Sequence, residues 1–519
     1  MTWRHYTFLF LASLIILGFV SAFQSGPGYM DADYYYAGGI QIATGHGFNE
    51  PYLWNYLDNP QGLPHPSHSY WMPLASILAA LGMVLFRSTS FIAAKGGFLL
   101  IAALIPPLSS ALAWYLSHRK DLAIFSGILA IFSGYYLVYL TTTDTFGIYM
   151  LLGGLLFLYF TRERSTGSAI IAGVLIGFMN LTRSDGIIWL GLSILYIIIN
   201  STRSKELRVS LFYKVGIVVG GYLIIMLPWF MRNIMTFGTL FGPGSGRVLW
   251  LTSYNQIFSY PPSHISFGSW VQSGFKAVLD ARLWALGINL ASALTVQGGI
   301  VLFPLVVLGI LSQRKHSIVW LGVGGWGATL GVMTILFPFA GARGGFFHSG
   351  SALQVFWWCL IPIGLDEFIK WGIRVRNWEL KRSRKLFTYS ITSFVIILTI
   401  WISATKLGIN GLKPWGQEEN AYSHISNILK ALNISKKEII IVANPPGFWL
   451  ESRHPSIAVP SGDITSLTEV SQEFHANYLI LEKSSLSQYL FDLYSNPEKF
   501  KRFIYMGEVE DARIFKIAP

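Results

Sequence analysis

The 519-residue chain has only one cysteine, Cys359, which lies within an apolar segment. A single thiol cannot form an intramolecular disulfide, and it cannot supply the thiolate set of a structural zinc site. Any part of the chain that is exported must therefore be held together by packing and hydrogen bonds alone.

Charge is also scarce. Charged residues make up 12% of the chain and hydrophobic residues 52%, whereas a soluble domain carries about 25% charged residues. This composition predicts a polytopic membrane protein. The net charge of +12 would suggest a nucleic-acid partner in a soluble protein. In a membrane protein, basic residues in cytoplasmic loops set the orientation, so we expect no nucleic-acid partner.

Apolar runs recur through the first 405 residues, and a spanning helix needs about 20 apolar residues. We predict a mainly α-helical protein with about eleven transmembrane helices. They are expected within residues 7–23, 94–117, 121–140, 146–160, 168–182, 187–200, 212–230, 298–313, 317–337, 350–369 and 386–405. The first run follows Arg4 and lacks a clear cleavage site, so it is interpreted as a retained signal anchor with its amino end inside.

Basic residues agree with this topology, because cytoplasmic loops are enriched in lysine and arginine. The residues expected inside are Arg119, Lys120, Arg162, Arg164, Arg203, Lys205, Arg208, Arg314, Lys315 and six more between residues 374 and 385. An odd number of spans then puts the carboxyl terminus outside. The prediction is a multi-pass protein of the cytoplasmic membrane.

The chain divides into two predicted domains. Residues 1–405 form the transmembrane domain, with long outer loops at 24–93 and 232–297. Within the first loop, residues 72–86 are too short for a span and are interpreted as a helix lying on the outer membrane surface. Residues 406–519 have the composition of a soluble domain. Strand patterns at 438–443, 456–460 and 476–482, a turn at 444–447 ("NPPG") and helical spacing at 464–474 predict a small exterior α/β domain.

Two acids in "PGYMDADYYYAGG" (27–39) are the first candidates for chemistry. Asp31 could cap a helix that starts near Ala32, with Asp33 in its first turn. Alternatively, one acid faces a polar site, since charges near a bilayer are costly and usually functional. Residues two apart on a helix point to different sides, so we expect the two carboxylates to have different tasks.

Other candidates follow in later loops. His65 and His68 have a spacing found among metal ligands, but the prolines around them also fit a rigid turn with local hydrogen bonds. Arg183 either pairs with Asp185 or binds a phosphate. Arg343 and His348, in "RGGFFHSGSAL", form either a phosphate site or a simple loop anchor. Asp144 is the last candidate, as either a helix cap or a residue that lines the site.

These polar residues are expected on one side of the membrane. No apolar segment contains the midplane series of ionisable residues that is typical of transporters. The pattern favours an enzyme at the outer surface. A lipid or polysaccharide transporter and a non-catalytic anchor for the exterior domain are the alternatives.

Five stretches, taken in order, resemble a known group of membrane enzymes. They are "GYMDADYYYAGG", "LPHPSHSYWMPL", "LTRSDG", "PWFMRN" and "RGGFFHSGSAL". Over residues 1–405, the chain is similar to the glycosyltransferase C superfamily. It is most similar to bacterial RgtA/B/C/D-like members, near the protein O-mannosyltransferase and lipid A aminoarabinose transferase branch.

The resemblance implies a polyprenyl-phosphate sugar as donor and a lipid, glycan or protein as acceptor. It also implies an acid at the start of the first outer loop that acts on the acceptor. We expect this acid to take the acceptor proton as general base, in a direct displacement that inverts the anomeric carbon. That acid is Asp31 or Asp33, and we favour Asp31 because it is nearest the membrane exit. In the eukaryotic mannosyltransferases the two acids are adjacent, whereas here one residue separates them.

We expect substrate-binding roles for the other candidates. Arg343 and Arg183 would hold the donor phosphate, and Tyr34, Tyr35 and Trp71 would pack against sugar rings. The further candidates are Asp33, His65, His68, Asp144 and His348. A divalent metal ion is the candidate cofactor. His65, His68 and Asp33 are its expected ligands, and His348 could hold either the ion or the donor phosphate.

Overall fold

The computed structural model describes residues 1–161, 166–203, 208–409, 411 and 415–518. Three of the residues expected in cytoplasmic loops, Arg162, Arg164 and Lys205, lie outside the described residues.

The chain is mainly helical up to residue 406. Its α-helices there are α1 (Trp3–Ser21), α2 (Met30–Ala43), α3 (Leu74–Leu85), α4 (Phe91–Ala103), α5 (Ile105–Ser117), α6 (Lys120–Ile131), α7 (Phe146–Phe160), α8 (Ala169–Thr182), α9 (Ile187–Arg203), α10 (Arg208–Phe237), α11 (Pro243–Arg247), α12 (Phe267–Gln272), α13 (Gly274–Ser292), α14 (Phe303–Gln313), α15 (Ser317–Gly331), α16 (Pro338–Ala340), α17 (Phe346–Gly350), α18 (Gln354–Arg376) and α19 (Leu380–Lys406).

Within the described residues, eight helical stretches are long and apolar enough to cross a membrane. They are Trp3–Ser21, Phe91–Ser117, Ser184–Arg203, Val209–Phe237, Gly274–Gln297, Ser317–Leu336, Pro338–Arg376 and Leu380–Lys406. Four shorter apolar helices accompany them, at Leu74–Leu85, Phe146–Phe160, Ala169–Thr182 and Ile300–Gln313. These helices confirm a polytopic membrane protein.

The structure differs from the predicted spans at two places. The stretch 121–140 is not one helix, because Phe132 leaves the helical conformation and Gly134 adopts a positive φ of 62° before a short 3-10 turn. The second long loop, predicted at 232–297, contains the apolar helix α13. Sequence reasoning missed α13 because Lys276, Asp280 and Arg282 interrupt its apolar pattern.

The helix predicted at 72–86 is present as α3. It packs closely on α2, since a Cβ atom added at Gly39 would lie 2.8 Å from the Cβ atom of Ala79. The first loop therefore folds into packed helices, with α3 lying against α2. The placement of α3 on the membrane surface stays a prediction.

The C-terminal region contributes five strands to a six-stranded mixed sheet, as expected of a small α/β domain. Its strands, together with those of the first loop, are β1 (Asn49–Glu50), β2 (Tyr52–Leu53), β3 (His65–Pro66), β4 (Ile439–Val442), β5 (Ser456–Ala458), β6 (Ala476–Glu482), β7 (Phe503–Val509) and β8 (Ala512–Ile517). The sheet order is β2-β5-β4-β6-β8-β7, and β1 pairs with β3 separately. The helices here are α20 (Gln417–Ala431), α21 (Pro445–Ser452), α22 (Ile464–Glu473) and α23 (Phe491–Ser495).

Two details of this region differ from expectation. The "NPPG" stretch is not a turn but the start of α21, because Asn444 caps the helix and prolines suit its first positions. The edge strand β2 comes from the first loop and pairs in parallel with β5, with Tyr52 opposite Ser456. Leu53 and Tyr56 accordingly join the hydrophobic core of the C-terminal sheet. The first loop and the C-terminal region therefore share one sheet.

Candidate functional site

Three side chains from distant parts of the sequence converge at the start of α2. They are Asp31 in its first turn, Asp144 just before α7, and His348 in α17. One ligand atom from each lies within 4.8 Å of the other two. The Nε2 atom of His348 is 3.2 Å from Oδ2 of Asp144 and 3.7 Å from Oδ2 of Asp31. The three form a compact cluster of two carboxylates and one imidazole.

Threonine hydroxyls tie the segment of Asp144 to the start of α2. Thr142 donates to the Pro27 carbonyl and Thr143 to the Ala32 carbonyl, both at 2.9 Å. The residue that precedes α2, Tyr29, donates its hydroxyl to Oδ2 of Asp144 at 2.6 Å. These bonds satisfy buried backbone carbonyls, and they fix the Asp144 carboxylate beside the turn that carries Asp31.

A break in the helical backbone presents His348. Gly344 has a φ of 117°, a conformation that favours glycine. Its carbonyl lies 3.0 Å from Nδ1 of His348, and the imidazole stacks on Phe146 at 4.0 Å between ring centroids. Since a carbonyl can only accept, Nδ1 carries a proton, and the other ring nitrogen is directed at the two carboxylates.

The two carboxylates have different environments. Asp31 has 33% of its side chain exposed, whereas Asp144 has 1%. Burial raises the pKa of Asp31 to about 6, with Asp144 adding to the rise and His348 opposing it. Burial alone would also raise the pKa of Asp144. The His348 imidazole and the hydrogen bonds from Tyr29 and Thr145 outweigh it and hold that pKa below its usual value.

Arg183 lies next to this cluster. Its Nε atom donates to Oδ1 of Asp185 at 2.9 Å, and Nη2 donates to the Ser349 hydroxyl at 3.2 Å. Ser349 follows His348 in the chain and also donates to Asp185. The positive charge of Arg183 lowers the pKa of Asp31, although by less than burial raises it. The expected pairing of Arg183 with Asp185 is therefore present, and the binding of a phosphate by Arg183 stays a prediction.

Arg343 lies at an exposed position, with its guanidinium 5.3 Å from the centre of the Tyr254 ring. Burial raises the pKa of Tyr254 to about 12, with Asp31 adding to the rise and Arg343 opposing it. The pKa of Tyr254 thus responds to the charges of both Asp31 and Arg343. Tyr70 is also within the influence of Asp31 and Arg183. Sequence reasoning missed Tyr29, Tyr70 and Tyr254, because isolated tyrosines in loops carry no periodic signal.

The structure does not group His65, His68 and Asp33, the expected metal ligands. Among the described residues, the group arranged to hold a metal ion is Asp31, Asp144 and His348. His65 instead lies 3.3 Å from Asp58, and His68 is buried between the hydroxyls of Ser67 and Ser76. Burial lowers the pKa of His68 to about 3, so it is neutral. The local-turn interpretation describes these histidines better.

The aromatic candidates form a packed wall of the first loop. Trp71 stacks on Trp54 with 4.0 Å between ring centroids, and Tyr34 and Tyr35 contact Trp71 edge-on or at a tilt. Tyr34 and Tyr35 are buried, at 1% and 3% exposed. Tyr35 also lies within the electrostatic influence of Asp144 and Asp31. Tyr35 is therefore the residue of this wall whose pKa responds to the carboxylate cluster.

Asp33 faces away from the cluster. Its carboxylate is buried, and Oδ2 accepts a hydrogen bond of 2.8 Å from Nδ2 of Asn444 in the C-terminal region. The two acids of the "DAD" stretch thus have separate surroundings, which agrees with their two-residue spacing on a helix.

The sequence matches no protein-family model, and no curated protein matches it. Solved structures do resemble the fold. The apo oligosaccharyltransferase of Archaeoglobus fulgidus has a TM-score of 0.58 at 12% identity, covering 94% of this chain and 70% of that one. Its complex with Zn and sulfate has a TM-score of 0.57 at 12% identity, covering 98% of this chain and 73% of that one. ArnT of Cupriavidus metallidurans bound to undecaprenyl phosphate has a TM-score of 0.53 at 12% identity, covering 99% of this chain and 98% of that one.

The chain has the glycosyltransferase C fold. The expected resemblance is confirmed at this level, since most of the chain is covered in each comparison. At 12% identity the similarity concerns the fold, and the activity must be argued from the site.

Proposed function

We propose that this protein is a membrane glycosyltransferase. It transfers a sugar from a polyprenyl-phosphate donor to an acceptor hydroxyl at the outer face of the cytoplasmic membrane. The observation that carries the proposal is the convergence of Asp31, Asp144 and His348 beside Arg183. This arrangement brings together a partly exposed carboxylate, a cation-binding set and a guanidinium.

Asp31 acts as the general base. Its carboxylate takes the proton of the acceptor hydroxyl while the acceptor oxygen attacks the anomeric carbon. The bond between that carbon and the phosphate oxygen breaks, and the lipid phosphate leaves with the bonding electrons. This direct displacement inverts the anomeric centre. A pKa of about 6 suits the task, because a base is most effective when its pKa lies near the working pH.

The leaving phosphate carries the charge that must be stabilised. Arg343 is exposed and Arg183 is not, so Arg343 is the side chain free to reach a donor phosphate at the mouth of the site. Guanidinium groups pair with phosphate oxygens through two parallel hydrogen bonds. Arg183, held by Asp185 and Ser349, adds fixed positive charge next to the reacting atoms.

The carboxylate–imidazole cluster fits a divalent metal ion. With Nδ1 protonated, a neutral His348 directs the lone pair of Nε2 at two carboxylates. That arrangement is repulsive unless a proton or a cation lies between them. Asp31, Asp144 and His348 would hold the ion, which would supply positive charge to the donor phosphate. A similar structure, the oligosaccharyltransferase of Archaeoglobus fulgidus, is a complex with Zn and sulfate, which supports a divalent ion in general.

The donor class is supported by two comparisons. One similar structure contains undecaprenyl phosphate and another contains dolichol phosphate. We propose that residues 1–405 form the transmembrane transferase domain and residues 406–519 an exterior domain, with the amino terminus inside. The distribution of basic residues supports this orientation. The acceptor is a lipid, a glycan or a protein.

The proposal is tested with purified protein and a panel of radiolabelled undecaprenyl-phosphate sugars. Membrane extract from a deletion strain serves as the acceptor source. We expect one sugar to be transferred, with release of undecaprenyl phosphate, and mass spectrometry of surface glycans should show that sugar missing in the deletion strain. A protein that moves a labelled lipid across vesicles without breaking the sugar–phosphate bond would instead be a transporter.

A further inference from the structure

The C-terminal region holds the first turn of α2 on the side opposite the carboxylate cluster. Nδ2 of Asn444 donates to Oδ2 of Asp33 at 2.8 Å, and both residues are buried. The Asn444 amide has a defined orientation, because its Oδ1 atom accepts from the Gly447 amide at 3.1 Å as the cap of α21. The NH2 group is therefore the part that faces Asp33. Gly447 also packs closely, since a Cβ atom there would lie 2.7 Å from Oδ2 of Asp33.

Trp415 makes a second contact just before α2. Its Nε1 atom donates to the Gly26 carbonyl at 2.9 Å. Gly28 has a φ of 94°, and a Cβ atom at Gly28 would lie 2.2 Å from the indole ring. The same indole meets Tyr29 edge-on at 5.9 Å between ring centroids. Since Tyr29 also donates to Asp144, this contact connects the C-terminal region to the cluster.

The shared sheet keeps these two contacts in place. The pairing of β2 with β5 is supported by a hydrogen bond from the Ser456 amide to the Pro51 carbonyl. Tyr56 donates its hydroxyl to the Ala458 carbonyl, and Trp449 packs on Tyr52 with 5.7 Å between ring centroids. The first loop is thus fastened to the sheet from which α21 and Asn444 project.

We propose that Asn444 and Trp415 are positioning residues that set the rotation of α2 and thereby aim Asp31 at the reacting atoms. Successive residues of an α-helix are about 100° apart, so Asp33 and Asp31 point to nearly opposite sides of the first turn. A hydrogen bond that fixes Asp33 on one side therefore fixes the direction of Asp31 on the other. Catalytic side chains must be held within about 10–20° of their productive orientation. The catalytic consequence rests on the proposed transferase function, whereas the effect on α2 does not.

A reciprocal exchange of the two side chains tests the proposal. Asn444→Asp keeps the cap of α21, because aspartate also accepts from the Gly447 amide, but it sets two carboxylates against each other. Adding Asp33→Asn restores one donor and one acceptor with the direction of the bond reversed. Two readouts are followed, which are amide hydrogen exchange of residues 30–36 without substrate and turnover of an undecaprenyl-phosphate sugar.

We expect Asn444→Asp to speed exchange in the first turn of α2 and to lower kcat about 10- to 100-fold, the cost of a misplaced catalytic group. The KM for the donor should change less than kcat. The double variant should return both readouts towards the wild-type values. Unchanged exchange in Asn444→Asp, faster exchange with an unchanged kcat, or a kcat that the double variant does not recover would each overturn the proposal.

Trp415→Phe is a milder variant in case Asn444→Asp does not fold. It keeps a ring against Gly28 and removes only the donor to Gly26. We expect faster exchange in the same peptide and a smaller loss of kcat, about fivefold for one hydrogen bond. Unchanged exchange would contradict the role of Trp415. If the wild-type protein transfers no sugar at all, the proposed function fails, while the exchange experiment still decides how α2 is held.

Discussion

The imidazole of His348 is directed at Asp144, with Nε2 3.2 Å from Oδ2, because the Gly344 carbonyl engages the opposite ring nitrogen. Asp31 lies on the same side of the ring, at 3.7 Å. Two carboxylates around one imidazole nitrogen require a positive charge among them, either a proton on the ring or a bound cation. This relationship connects the fold to the proposed chemistry, and it leads to the first prediction.

His348→Ala should weaken binding of a divalent ion. The loss of one ligand from a set of three is expected to reduce affinity for Zn²⁺ or Mn²⁺ at least about 10-fold, as measured by isothermal titration calorimetry. His65→Ala is the matched control, because His65 pairs with Asp58 and lies outside the cluster. An equal loss of affinity in both variants would contradict the assignment of the ligands.

Arg343→Ala should mainly weaken donor binding. Because Arg343 is exposed and its guanidinium lies over the Tyr254 ring, its removal should leave the fold intact. The loss of a charged hydrogen bond predicts a rise of about tenfold in the donor KM, with a smaller change in kcat. Lys516→Ala, which removes an exposed positive charge from β8, should leave the KM unchanged. A wild-type donor KM in Arg343→Ala would remove Arg343 from the phosphate site.

The pH dependence of transfer should reflect Asp31. Burial raises the pKa of this carboxyl from 3.8 to about 6. The ionised form is therefore lost at pH values where an ordinary aspartate stays charged. A general base must be ionised, so kcat/KM of the metal-free protein should fall as the pH drops through about 6. A bound cation would lower this pKa and move the fall to lower pH. A pH–rate profile checks this. A rate that stays constant down to the ordinary range of aspartate would exclude Asp31 as the titrating group.

His68→Ala should affect stability rather than chemistry. His68 is buried, neutral and hydrogen-bonded to Ser67, Ser76 and, through its backbone, Tyr34. Removing it leaves buried hydroxyls without a partner, at a cost of about 1–3 kcal/mol. We expect a lower melting temperature with a kcat close to wild type at permissive temperature. His424→Ala, at an exposed position, should change neither quantity. A large loss of kcat without a loss of stability would contradict this structural role and indicate that His68 takes part in the reaction.

Much of the architecture could be predicted from the sequence. Long apolar runs become apolar helices in a bilayer because the backbone must satisfy its own hydrogen bonds there. Strand patterns that alternate with helical patterns and turns predicted the C-terminal α/β region. Helix α13 and the break after α6 could not be predicted, each for a different local reason. Charges interrupt the apolar pattern of α13, and the conformations of Phe132 and Gly134 leave no hydropathy signal.

The site was predictable only as separate residues. Asp31, Asp144 and His348 were each candidates, but sequence spacing cannot show that three loops meet at one point. It offered His65 and His68 as possible metal ligands instead, because their i,i+3 spacing is visible without a structure. The partnership of Asp33 with Asn444 had no signal at all, since it joins the first loop to a capping residue more than 400 positions later.

The most direct test of the account is the rate of sugar transfer by Asp31→Asn. The variant is purified, given the same labelled undecaprenyl-phosphate sugar as the wild type, and compared with Asp492→Asn, an exposed carboxylate in α23. Loss of the general base predicts a fall in kcat of about 10²- to 10⁴-fold, with Asp492→Asn at the wild-type rate. Transfer by Asp31→Asn at the wild-type rate would contradict the central claim.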